Sequence, residues 1–563
     1  MLPLLESRSS MNHPWIASYP PGVPATIDPQ AYSSVVALLE ESFARYSERK
    51  AYACMGKALR YGDVDRLSRA LAGWLQSRGL AQGDRVAIMM PNILQYPVTV
   101  AAVLRAGCVL VNVNPLYTAR ELAHQLKDSG ARAIVMFDRH LATLESIVGE
   151  TQIEHVLLAS LSDTLIGSPE HAAAQPEDGR TTRFDQALGD GAASVFKAPD
   201  IDAADIALLQ YTGGTTGVSK GAVLLHETIV ANLLASEAWM QPGLHRRPTT
   251  GQYTILCALP LYHVFAFISC GLLGARIGAV NILLPDPRNI GAVVDAFKQY
   301  RIHNFPAVNT LFAALLHQPE FASCDFSELC LSNGGGSAVQ EAVARRWLAV
   351  TGCPIVEGYG LSETSSGITC NRTDSEVFTG NIGLPMPSVE IRILDDDGKA
   401  LPTGTSGEIA VRGPQVMAGY WRRPDETAKV MTDDGFLRTG DIGIIDGQGY
   451  VKLIDRKKDM IIVSGFNVFP NEIEAVVAGH PGVLECAVIG VADERTGEAV
   501  KLFVVRRDAD LSAADLLAFC AERLTAYKRP KSIEFIAALP KSNVGKILRK
   551  DLRDAASPGR LMP

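Results

Sequence analysis

The stretch Leu209-Gln-Tyr-Thr-Gly-Gly-Thr-Thr-Gly-Val-Ser-Lys220 places glycines, threonines and a lysine between two apolar runs, Ile206–Leu209 and Ala222–Leu225. Glycines let backbone N–H groups approach an anion closely, while the threonine hydroxyls and the lysine add donors and positive charge. The spacing does not fit the G-x-x-x-x-G-K-[ST] phosphate loop. Composition alone is also compatible with a flexible surface turn. Its position between two strands favours a phosphate-binding loop.

Helical and strand patterns alternate through the first 350 residues. Apolar residues recur at helical spacing from Val64 to Leu75, and short apolar runs such as Ala133–Phe137 are typical of strands. Thr118-Ala-Arg-Glu121 is a capping box that begins a helix. Strands that alternate with helices favour parallel sheets covered on both faces. The sequence therefore predicts the α/β class.

The pattern changes twice toward the C-terminus, and these changes predict the domain boundaries. At 563 residues the chain is too long for one hydrophobic core. A strand-rich, glycine-punctuated region begins near residue 376, and a compact α+β pattern follows the basic run Arg456-Lys457-Lys458. We expect an N-terminal extension (1–30), an α/β core (31–375), a β-rich subdomain of the large domain (376–455), a hinge (456–458) and a small C-terminal α+β domain (459–563).

Bulk composition excludes several classes of protein. A net charge of −8 argues against a nucleic-acid partner. Ten scattered cysteines without a C-x-x-C pair indicate reduced thiols in a cytoplasmic protein. The first residues, MLPLLESRSSM, lack the features of a signal peptide, and Met11 is the more natural start. Thr254–Ala275 has the length of a membrane span, but Pro260 and His263 interrupt it, so a buried strand–turn–helix is predicted.

Four further motifs follow the glycine-rich loop, and the five together resemble the adenylate-forming superfamily. These motifs are Glu357-Gly-Tyr-Gly-Leu-Ser-Glu363, Asp434-Gly-Phe-Leu-Arg-Thr-Gly-Asp441, Ile454–Ile461 with Ser464-Gly-Phe-Asn467, and Pro540-Lys-Ser-Asn-Val-Gly-Lys546. The superfamily contains acyl-CoA synthetases, aryl-CoA ligases, luciferases and nonribosomal peptide adenylation domains. Each motif alone is compatible with a turn or a solvated linker, so the resemblance rests on their order and spacing. It implies that ATP activates a carboxylic acid as an acyl-adenylate.

The resemblance also implies a role for each matching residue. The phosphate loop would comprise Thr212, Gly213, Gly214, Thr215, Thr216, Gly217 and Lys220. Adenine and ribose would contact Gly336, Glu357, Gly358, Tyr359, Asp441 and Arg456, with Tyr359 stacked on adenine. Glu363 and Thr212 would bind Mg²⁺, and the implied catalytic residues are Lys546, Glu363 and His263. Lys458 would be the hinge, Ser464 and Gly465 would lie on the coenzyme A path, and Phe267 would gate an acyl tunnel.

ATP, Mg²⁺ and coenzyme A are therefore the implied cofactors and co-substrates. We hypothesise that Lys457, Lys458, Lys528, Arg529 and Lys531 attract the phosphates of coenzyme A. Relatives imply a homodimer, and a fatty substrate is compatible with peripheral contact at the inner face of a membrane.

Across residues 14–553 the chain looks closest to bacterial long-chain fatty acyl-CoA synthetases, which implies a medium- to long-chain fatty acid substrate. Two stretches depart from that branch. Relatives usually read S-A-G-G-G-x-P-V where this chain has Ser332-Asn-Gly-Gly-Gly-Ser-Ala-Val339, and C-A-P where it has Thr364-Ser-Ser-Gly-Ile368. Both stretches line the acyl site in the family. A ligase for a shorter, functionalised or aryl acid therefore remains an alternative.

Other readings fit the residues less well. A nonribosomal adenylation domain would need an aspartate for the substrate amino group, whereas Leu261-Tyr-His-Val-Phe265 is apolar. A luciferase shares the scaffold, but nothing in the sequence indicates oxygen chemistry. A non-catalytic nucleotide-binding homologue would not be expected to retain Lys220, Glu363, Asp441, Arg456 and Lys546 together.

Overall fold

The computed structural model describes residues 13–166, 179–212, 219–542, 545 and 547–556. The strands are β1 (Lys50–Cys54), β2 (Lys57–Arg60), β3 (Arg85–Met89), β4 (Val109–Asn112), β5 (Ala133–Phe137), β6 (His155–Ala159), β7 (Thr181–Arg183), β8 (Ile206–Tyr211), β9 (Gly221–Leu225), β10 (Thr254–Cys257), β11 (Val280–Leu283), β12 (Asn304–Ala307), β13 (Leu331–Gly334), β14 (Ile355–Leu361), β15 (Ser366–Cys370), β16 (Leu384–Pro385), β17 (Glu390–Leu394), β18 (Gly407–Arg412), β19 (Gly419–Tyr420), β20 (Leu437–Ile445), β21 (Val451–Arg456), β22 (Ile461–Val463), β23 (Phe466–Val468), β24 (Val483–Asp493), β25 (Gly497–Arg506) and β26 (Ser532–Phe535).

The α-helices are α1 (Val35–Arg45), α2 (Tyr61–Ser77), α3 (Gln95–Arg105), α4 (Ala119–Ser129), α5 (Leu141–Glu145), α6 (Phe184–Ala192), α7 (His226–Leu244), α8 (Val264–Ala266), α9 (Leu273–Ile277), α10 (Ile290–Gln299), α11 (Asn309–Leu316), α12 (Glu341–Thr351), α13 (Pro424–Val430), α14 (Pro470–Ala478), α15 (Ala513–Arg523) and α16 (Arg549–Ala556). A π-helical segment, Phe267–Leu272, joins α8 to α9.

Two large sheets form the body of the molecule. One has the order β19-β9-β8-β4-β3-β5-β6-β7 and the other β16-β15-β14-β13-β12-β10-β11-β1-β2. Most neighbours in both are parallel, as in β4 with β8 and β12 with β13. Helices between successive strands cover the sheets, because a parallel connection needs a crossover that returns to the same edge. The predicted α/β class is confirmed.

Two smaller sheets follow in the second half of the chain. β17, β18, β20 and β21 form a four-stranded antiparallel sheet from Glu390 to Arg456, and β22 to β26 form the sheet of the C-terminal unit. The short strands β16 and β19, which lie between residues 376 and 455, join the two large sheets instead. This β-rich region therefore contributes strands to both large sheets and is not separate from the α/β body.

Several local predictions agree with the observed elements. The Thr118 capping box begins α4, with Thr118 Oγ1 accepting from the Glu121 N–H. Thr254–Ala275 forms β10 followed by a buried helical segment, as predicted. Among the described residues, no helix is long and apolar enough to cross a membrane.

Residues from Pro14 onward pack against the body of the chain. Trp15 is buried beside Gly449, and the Tyr19 hydroxyl donates to the Pro385 carbonyl at 2.5 Å. This part of the expected N-terminal extension is thus held by β16 and the four-stranded sheet. The first twelve residues, including Met11, lie outside the described residues.

Candidate active site

The ends of the glycine-rich loop are fixed by the antiparallel pair β8 and β9. Tyr211 lies opposite Gly221, the Thr212 N–H donates to the Lys220 carbonyl at 2.9 Å, and the Ser219 hydroxyl donates to the Thr212 carbonyl at 2.6 Å. The strands therefore hold the two ends of the loop side by side. The predicted phosphate contacts Gly213, Gly214, Thr215, Thr216 and Gly217 lie outside the described residues.

Lys220, at the end of this loop, is paired with a residue that the motifs did not indicate. Its ammonium forms an ion pair with Glu426 of α13 and lies 5.1 Å from the centre of the Tyr420 ring. The hydrogen bond from Lys220 lowers the pKa of Glu426 to about 2, with a second contribution from Lys429. The lysine that the sequence predicts to bind phosphate is thus paired with a carboxylate of the protein.

Glu363, the predicted Mg²⁺ ligand, follows β14 on a single 3₁₀ turn. Its Oε1 accepts a hydrogen bond from the Tyr420 hydroxyl at 2.8 Å, and its backbone carbonyl accepts from the Met417 N–H at 2.7 Å. Burial, reinforced by the Glu363 charge, raises the pKa of Tyr420. Tyr420 therefore touches both Lys220 and Glu363 and links the phosphate loop to the β14 motif.

These groups suit a hard cation shared with phosphate. Mg²⁺ is usually held by one or two carboxylates plus substrate phosphate oxygens rather than by a full protein cage. Glu363 and Thr212 supply such oxygens, and no group of three or more His, Cys, Asp or Glu side chains that could hold a metal occurs in the described part of the chain. The residues present fit a cation that arrives with the nucleotide.

Tyr359, Asp441 and Arg456 come together at the edge of the four-stranded sheet. The Tyr359 hydroxyl donates to Asp441 Oδ2 at 2.6 Å, and Arg456 Nε lies 3.3 Å from Asp441 Oδ1. Asp441 on β20 and Arg456 on β21 are direct partners across the ladder, which explains their contact. Burial raises the pKa of the Tyr359 phenol well above its ordinary value. The structure thus unites three residues that were predicted separately.

Glu357 has a different position from that of a simple nucleotide contact. Its side chain is buried, and Oε1 accepts the Val339 N–H at 3.0 Å. Burial raises the pKa of its carboxyl to about 7. Between β13 and Val339 runs the turn that contains Gly336, whose φ of +76° favours glycine. Glu357 thus anchors the turn that carries Gly336, while Gly358 and Tyr359 follow it on β14.

The predicted acyl wall lies around the π-helical segment. Phe267 begins that segment and is 3% exposed, and its N–H donates to the His263 carbonyl at 2.9 Å. Beside Phe267 is a cavity of about 30 Å³. Its lining residues come from α1, α2, α3, β1, the loop after β10 and the π-helical segment, and include Phe43, Val64, Tyr96, Val100, Leu261 and Gly271. The cavity is lined by apolar and aromatic side chains and is much smaller than a typical ligand pocket of about 300–1,000 Å³.

The two sequence departures have different surroundings. Thr364 and Ser365 are fully buried, and their hydroxyls bond to protein carbonyls, including those of Leu361 and Gln415. Asn232 donates from its side chain to the Thr364 and Gly367 carbonyls. This stretch is therefore satisfied internally. Asn333, in the other departure, has a side-chain oxygen without a hydrogen-bond partner among the described residues.

The predicted hinge lies between the four-stranded sheet and the C-terminal unit. Burial lowers the pKa of Lys458 to about 8, and burial raises the pKa of Asp455 to about 6. Asp455 accepts the backbone N–H groups of Arg456 at 2.7 Å and Asn471 at 2.8 Å. One carboxylate thus ties β21 to the first helix of the C-terminal unit.

The predicted coenzyme A residues occupy an exposed turn. Ser464 and Gly465 have φ values of +50° and +82° between β22 and β23. The next residue, Phe466, is 55% exposed and stacks on Tyr527 at 4.7 Å. Of the predicted basic set, Lys528 pairs with Glu472, Lys531 with Asp493, and Lys457 with Asp396. Arg529 donates to the Leu524 and Ala521 carbonyls.

Lys546, the predicted catalytic lysine, lies outside the described residues. Its described neighbour Gly545 lies against the large domain, where a Cβ would fall 2.5 Å from Thr310 Oγ1 and 3.3 Å from Val308 Cγ2. Val308 is also the nearest neighbour of Gly336. The C-terminal unit therefore reaches the turn that Glu357 anchors.

Motif reasoning missed Tyr420, Glu426 and Val339. A signal for the first two was present, since Gly419-Tyr-Trp-Arg-Arg-Pro-Asp-Glu426 ends a strand and begins a helix with a proline and two acids. Nothing in that segment identifies its partners, which lie about 60 and 200 residues earlier in the chain.

Comparisons with known proteins agree with this geometry. A family model described as "AMP-binding enzyme" matches residues 39–421, and one described as "AMP-binding enzyme C-terminal domain" matches residues 472–546. The chain is 48% identical over 561 residues to a long-chain-fatty-acid–CoA ligase of Yersinia pestis, covering 97% of this chain and 98% of the relative. It is 46% identical over 558 residues to one of Escherichia coli O6:H1 (strain CFT073), covering 97% and 99%.

A solved structure of MatB from Rhodopseudomonas palustris is also similar. Its ATP-bound form superposes with a TM-score of 0.80 at 31% identity, covering 92% of this chain and 98% of MatB. The apo form gives 0.70 at the same identity and coverage. The overall arrangement of the chain is thus closer to the ATP-bound form.

Proposed function

The chain belongs to the AMP-binding enzyme family, and from this premise we propose that it is an ATP-dependent fatty acid–CoA ligase acting on medium- to long-chain acids. The observation that carries the proposal is the near full-length similarity to long-chain-fatty-acid–CoA ligases, at 46–48% identity. The junction of Tyr359, Asp441 and Arg456 supports it, because a buried carboxylate beside an arginine is suited to a ribose. ATP, Mg²⁺ and coenzyme A are its co-substrates and cofactor.

In the first half-reaction a carboxylate oxygen attacks the α-phosphorus of ATP. The new P–O bond forms as the bond to the β-phosphate breaks, and pyrophosphate leaves with the electron pair. The two reacting groups are both anions, so the site must supply positive charge where they meet. Mg²⁺ would supply part of that charge from Glu363 and Thr212. Lys220 would hold the β- and γ-phosphates, and Lys546 would bridge the carboxylate and the α-phosphate.

The structural support for this division of roles is the linkage through Tyr420. Tyr420 lies against Lys220 and donates to Glu363, so the cation-binding and phosphate-binding groups share one fixed neighbour. His263 lies at the start of the apolar segment that ends the acyl path, where it would orient the carboxylate. Glu357 would keep the Gly336 turn in position beneath the nucleotide.

In the second half-reaction the thiol of coenzyme A attacks the acyl carbonyl of the mixed anhydride, and AMP leaves. We place the thiol path at Ser464 and Gly465, whose turn is exposed and free of a bulky side chain at Gly465. Rotation of the C-terminal domain (459–563) about the hinge 456–458 would bring that turn to the adenylate. Lys457, Lys458, Lys528, Arg529 and Lys531 would attract the coenzyme's phosphates.

The domain division into 31–375, 376–455 and 459–563 belongs to the same proposal, as do peripheral contact with the cytoplasmic face of a membrane and assembly as a homodimer. All ten cysteines are free thiols, which agrees with a reducing cytoplasm.

Coenzyme A-dependent release of AMP across straight-chain acids from butyrate to octadecanoate, with benzoate and cinnamate beside them, tests the proposal. The expected result is saturable activity that rises toward the longer acids. Activity confined to the aryl acids would contradict the fatty-acid assignment. Absence of acid-dependent exchange between ATP and pyrophosphate would contradict catalysis itself.

A further inference from the structure

Two asparagines lie side by side in the interior of the nine-stranded sheet. Asn304 begins β12 and is fully buried, and Asn333 lies in β13 and is 5% exposed. The Asn333 side-chain N–H₂ donates to Asn304 Oδ1 over a long distance of 3.4 Å. Within the part of the chain that the structure describes, Asn304 Nδ2 and Asn333 Oδ1 have no partner. The pair thus leaves one donor and one acceptor unmatched.

The sheet register fixes which way the two amides face. Asn304 pairs with Leu331, and side chains alternate along a strand, so Asn304, Leu331 and Asn333 share one face. The opposite face carries Phe305 and Ser332, which pack on Trp347 of α12. The asparagines therefore face away from α12.

The face that carries the asparagines is covered by α7 and by the residues that lead into the π-helical segment of the proposed acyl wall. Leu331 lies 3.0 Å from the Cβ position of Gly243 in α7, and Gly335, two residues after Asn333, lies 3.0 Å by the same measure from the Phe265 ring. Phe265 lies two residues before the π-helical segment that begins at Phe267. The unmatched polar atoms are thus aimed at the wall where the acyl chain is proposed to run.

Buried amides are costly when unpaired, so the two unmatched atoms need an explanation. A hydroxyl group complements them, because its O–H donates to Asn333 Oδ1 while its oxygen accepts from Asn304 Nδ2. A ketone could satisfy only Asn304, and a methylene could satisfy neither.

We propose that Asn304 and Asn333 are specificity-determining residues that select a carboxylic acid with a hydroxyl group on its acyl chain. This inference rests on the proposed acyl-CoA ligase function and names the substrate class of that site. The hydroxyl belongs to the carboxyl-proximal part of the chain. Asn333 is only three residues from Gly336 of the nucleotide turn, which is at most roughly 10 Å along an extended chain.

The test is acid-dependent ATP–pyrophosphate exchange with hexadecanoate and its β-hydroxy, mid-chain hydroxy, matching oxo and ω-hydroxy derivatives. Wild-type enzyme is expected to favour the β-hydroxy acid over hexadecanoate by at least about tenfold in kcat/KM, with a smaller advantage for the mid-chain hydroxy acid. The oxo acid should fall between the β-hydroxy acid and hexadecanoate, and the ω-hydroxy acid should show no advantage. The double variant N304A/N333A should lose the preference and gain activity on hexadecanoate.

Two controls separate recognition from folding. N304L/N333L, whose side chains match asparagine in shape, removes both unmatched atoms without opening a cavity and should unfold at or above the wild-type temperature. Asn281→Ala removes a buried amide from the same sheet, beneath Gly274 of α9, and should change the rates with all acids by the same factor.

The outcomes distinguish this inference from the function beneath it. Equal hydroxy-to-unsubstituted ratios in the wild type and N304A/N333A, with hexadecanoate active, would overturn the inference and indicate that the amides hold a water molecule. If no acid of the series supports ATP–pyrophosphate exchange, the proposed function and this inference are both overturned.

Discussion

In the proposed mechanism, Lys546 is the residue whose charge the first half-reaction needs most directly. At ~4 Å and an effective dielectric constant of about 20, one such contact with the reacting phosphate is worth about 4 kcal/mol. If it is realised only in the transition state, Lys546→Ala should slow acyl-adenylate formation by roughly 10³-fold. Thioester formation from supplied acyl-AMP should be nearly unchanged.

Single-turnover measurements of the two half-reactions check this expectation. Lys541→Ala is the matched control, because Lys541 is on the same segment but pairs with Glu485 in the C-terminal unit. An equal loss in both half-reactions would remove Lys546 from the role assigned to it.

Glu357 gives a prediction about pH. Burial raises the pKa of its carboxyl from 4.5 to about 7, so the folded state holds the proton more tightly than the unfolded state. This contribution to stability is full below pH 4.5 and is lost as the pH rises to about 7. It amounts to at most about 3 kcal/mol. Glu357→Gln keeps an acceptor for Val339 and should be more stable than wild type at pH 8.

Urea unfolding between pH 4.5 and 8 measures that difference. Over this range the free energy of unfolding of Glu357→Gln should decline less than that of wild type. Glu341→Gln, a change at an exposed carboxyl, should decline as much as wild type. A Glu357→Gln curve parallel to wild type would contradict the proposed protonation.

At the scale of single residues, a role could be predicted only where its signal lay within a short stretch of sequence. Asp441 and Arg456 could be assigned because each lies in a recognisable motif, and the ladder then brings them together. Glu426 and the Asn304–Asn333 pair could not be foreseen, since their significance depends on partners from distant strands. Burial decides whether such groups matter, and burial of a polar residue is not written in its neighbours.

The π-helical segment is the element on which chain length should depend. Gly271 lies in it and lines the cavity beside Phe267, with its nearest neighbour 3.7 Å from a Cβ position. Gly271→Ala therefore fits without a clash and should favour the helix by about 0.5–1 kcal/mol. The added methyl fills space that a long acyl chain would use, so kcat/KM should fall for hexadecanoate more than for octanoate.

A chain-length series with the variant and wild type measures this change. Gly189→Ala in α6 has open space at its Cβ and is the control for helix stabilisation alone. If both variants leave the hexadecanoate-to-octanoate ratio unchanged, the acyl chain does not run beside Gly271.

Element boundaries were mostly accessible from the sequence, because capping and apolar periodicity are local. The apolar run Ala133–Phe137 is observed as β5 with the same bounds, and the helical pattern from Val64 to Leu75 lies within α2. The π-helical turn was not predictable, since an apolar run carries no mark of an altered hydrogen-bond spacing. The short strands β16 and β19 were equally hidden, because two residues give no periodicity.

At the scale of the whole molecule, the seating of Gly545 against Thr310 should control the first half-reaction. A bulky Thr310→Trp side chain would push the C-terminal unit away from this contact. Displacement of a reacting group by about 1 Å can cost roughly 10²-fold in rate, so acyl-adenylate formation should fall by that order. Thioester formation needs a different domain orientation and should be spared.

Thr310→Ser, which keeps the hydroxyl and adds no bulk, is the control. Separate assays of acyl-adenylate formation and of thioester formation from supplied acyl-AMP give the comparison. If Thr310→Trp lost both activities with an unchanged melting temperature, the contact between Gly545 and Thr310 would not be specific to acyl-adenylate formation.

The α/β class and the small C-terminal unit were predictable because strand–helix alternation extends over hundreds of residues. The interleaving of the large sheets was not, because β1, which pairs with β2 on one side, pairs on the other with β11, more than 200 residues later in the chain. Long-range pairing depends on the packing of helices between sheets, which local patterns do not encode.

Because Lys220 and Glu363 already have protein partners, a nucleotide that binds to them as proposed must replace those partners. Before any substrate arrives, Lys220 is paired with Glu426, and the Glu363 carboxylate accepts a hydrogen bond from the Tyr420 hydroxyl. The incoming triphosphate replaces one carboxylate by another anion, and its cation displaces a phenolic donor. The net affinity for the nucleotide is then the difference between its new contacts and the protein contacts that they replace. We therefore expect this affinity to be modest. In the proposed reaction, Glu426 and Tyr420 would take these contacts back as pyrophosphate leaves.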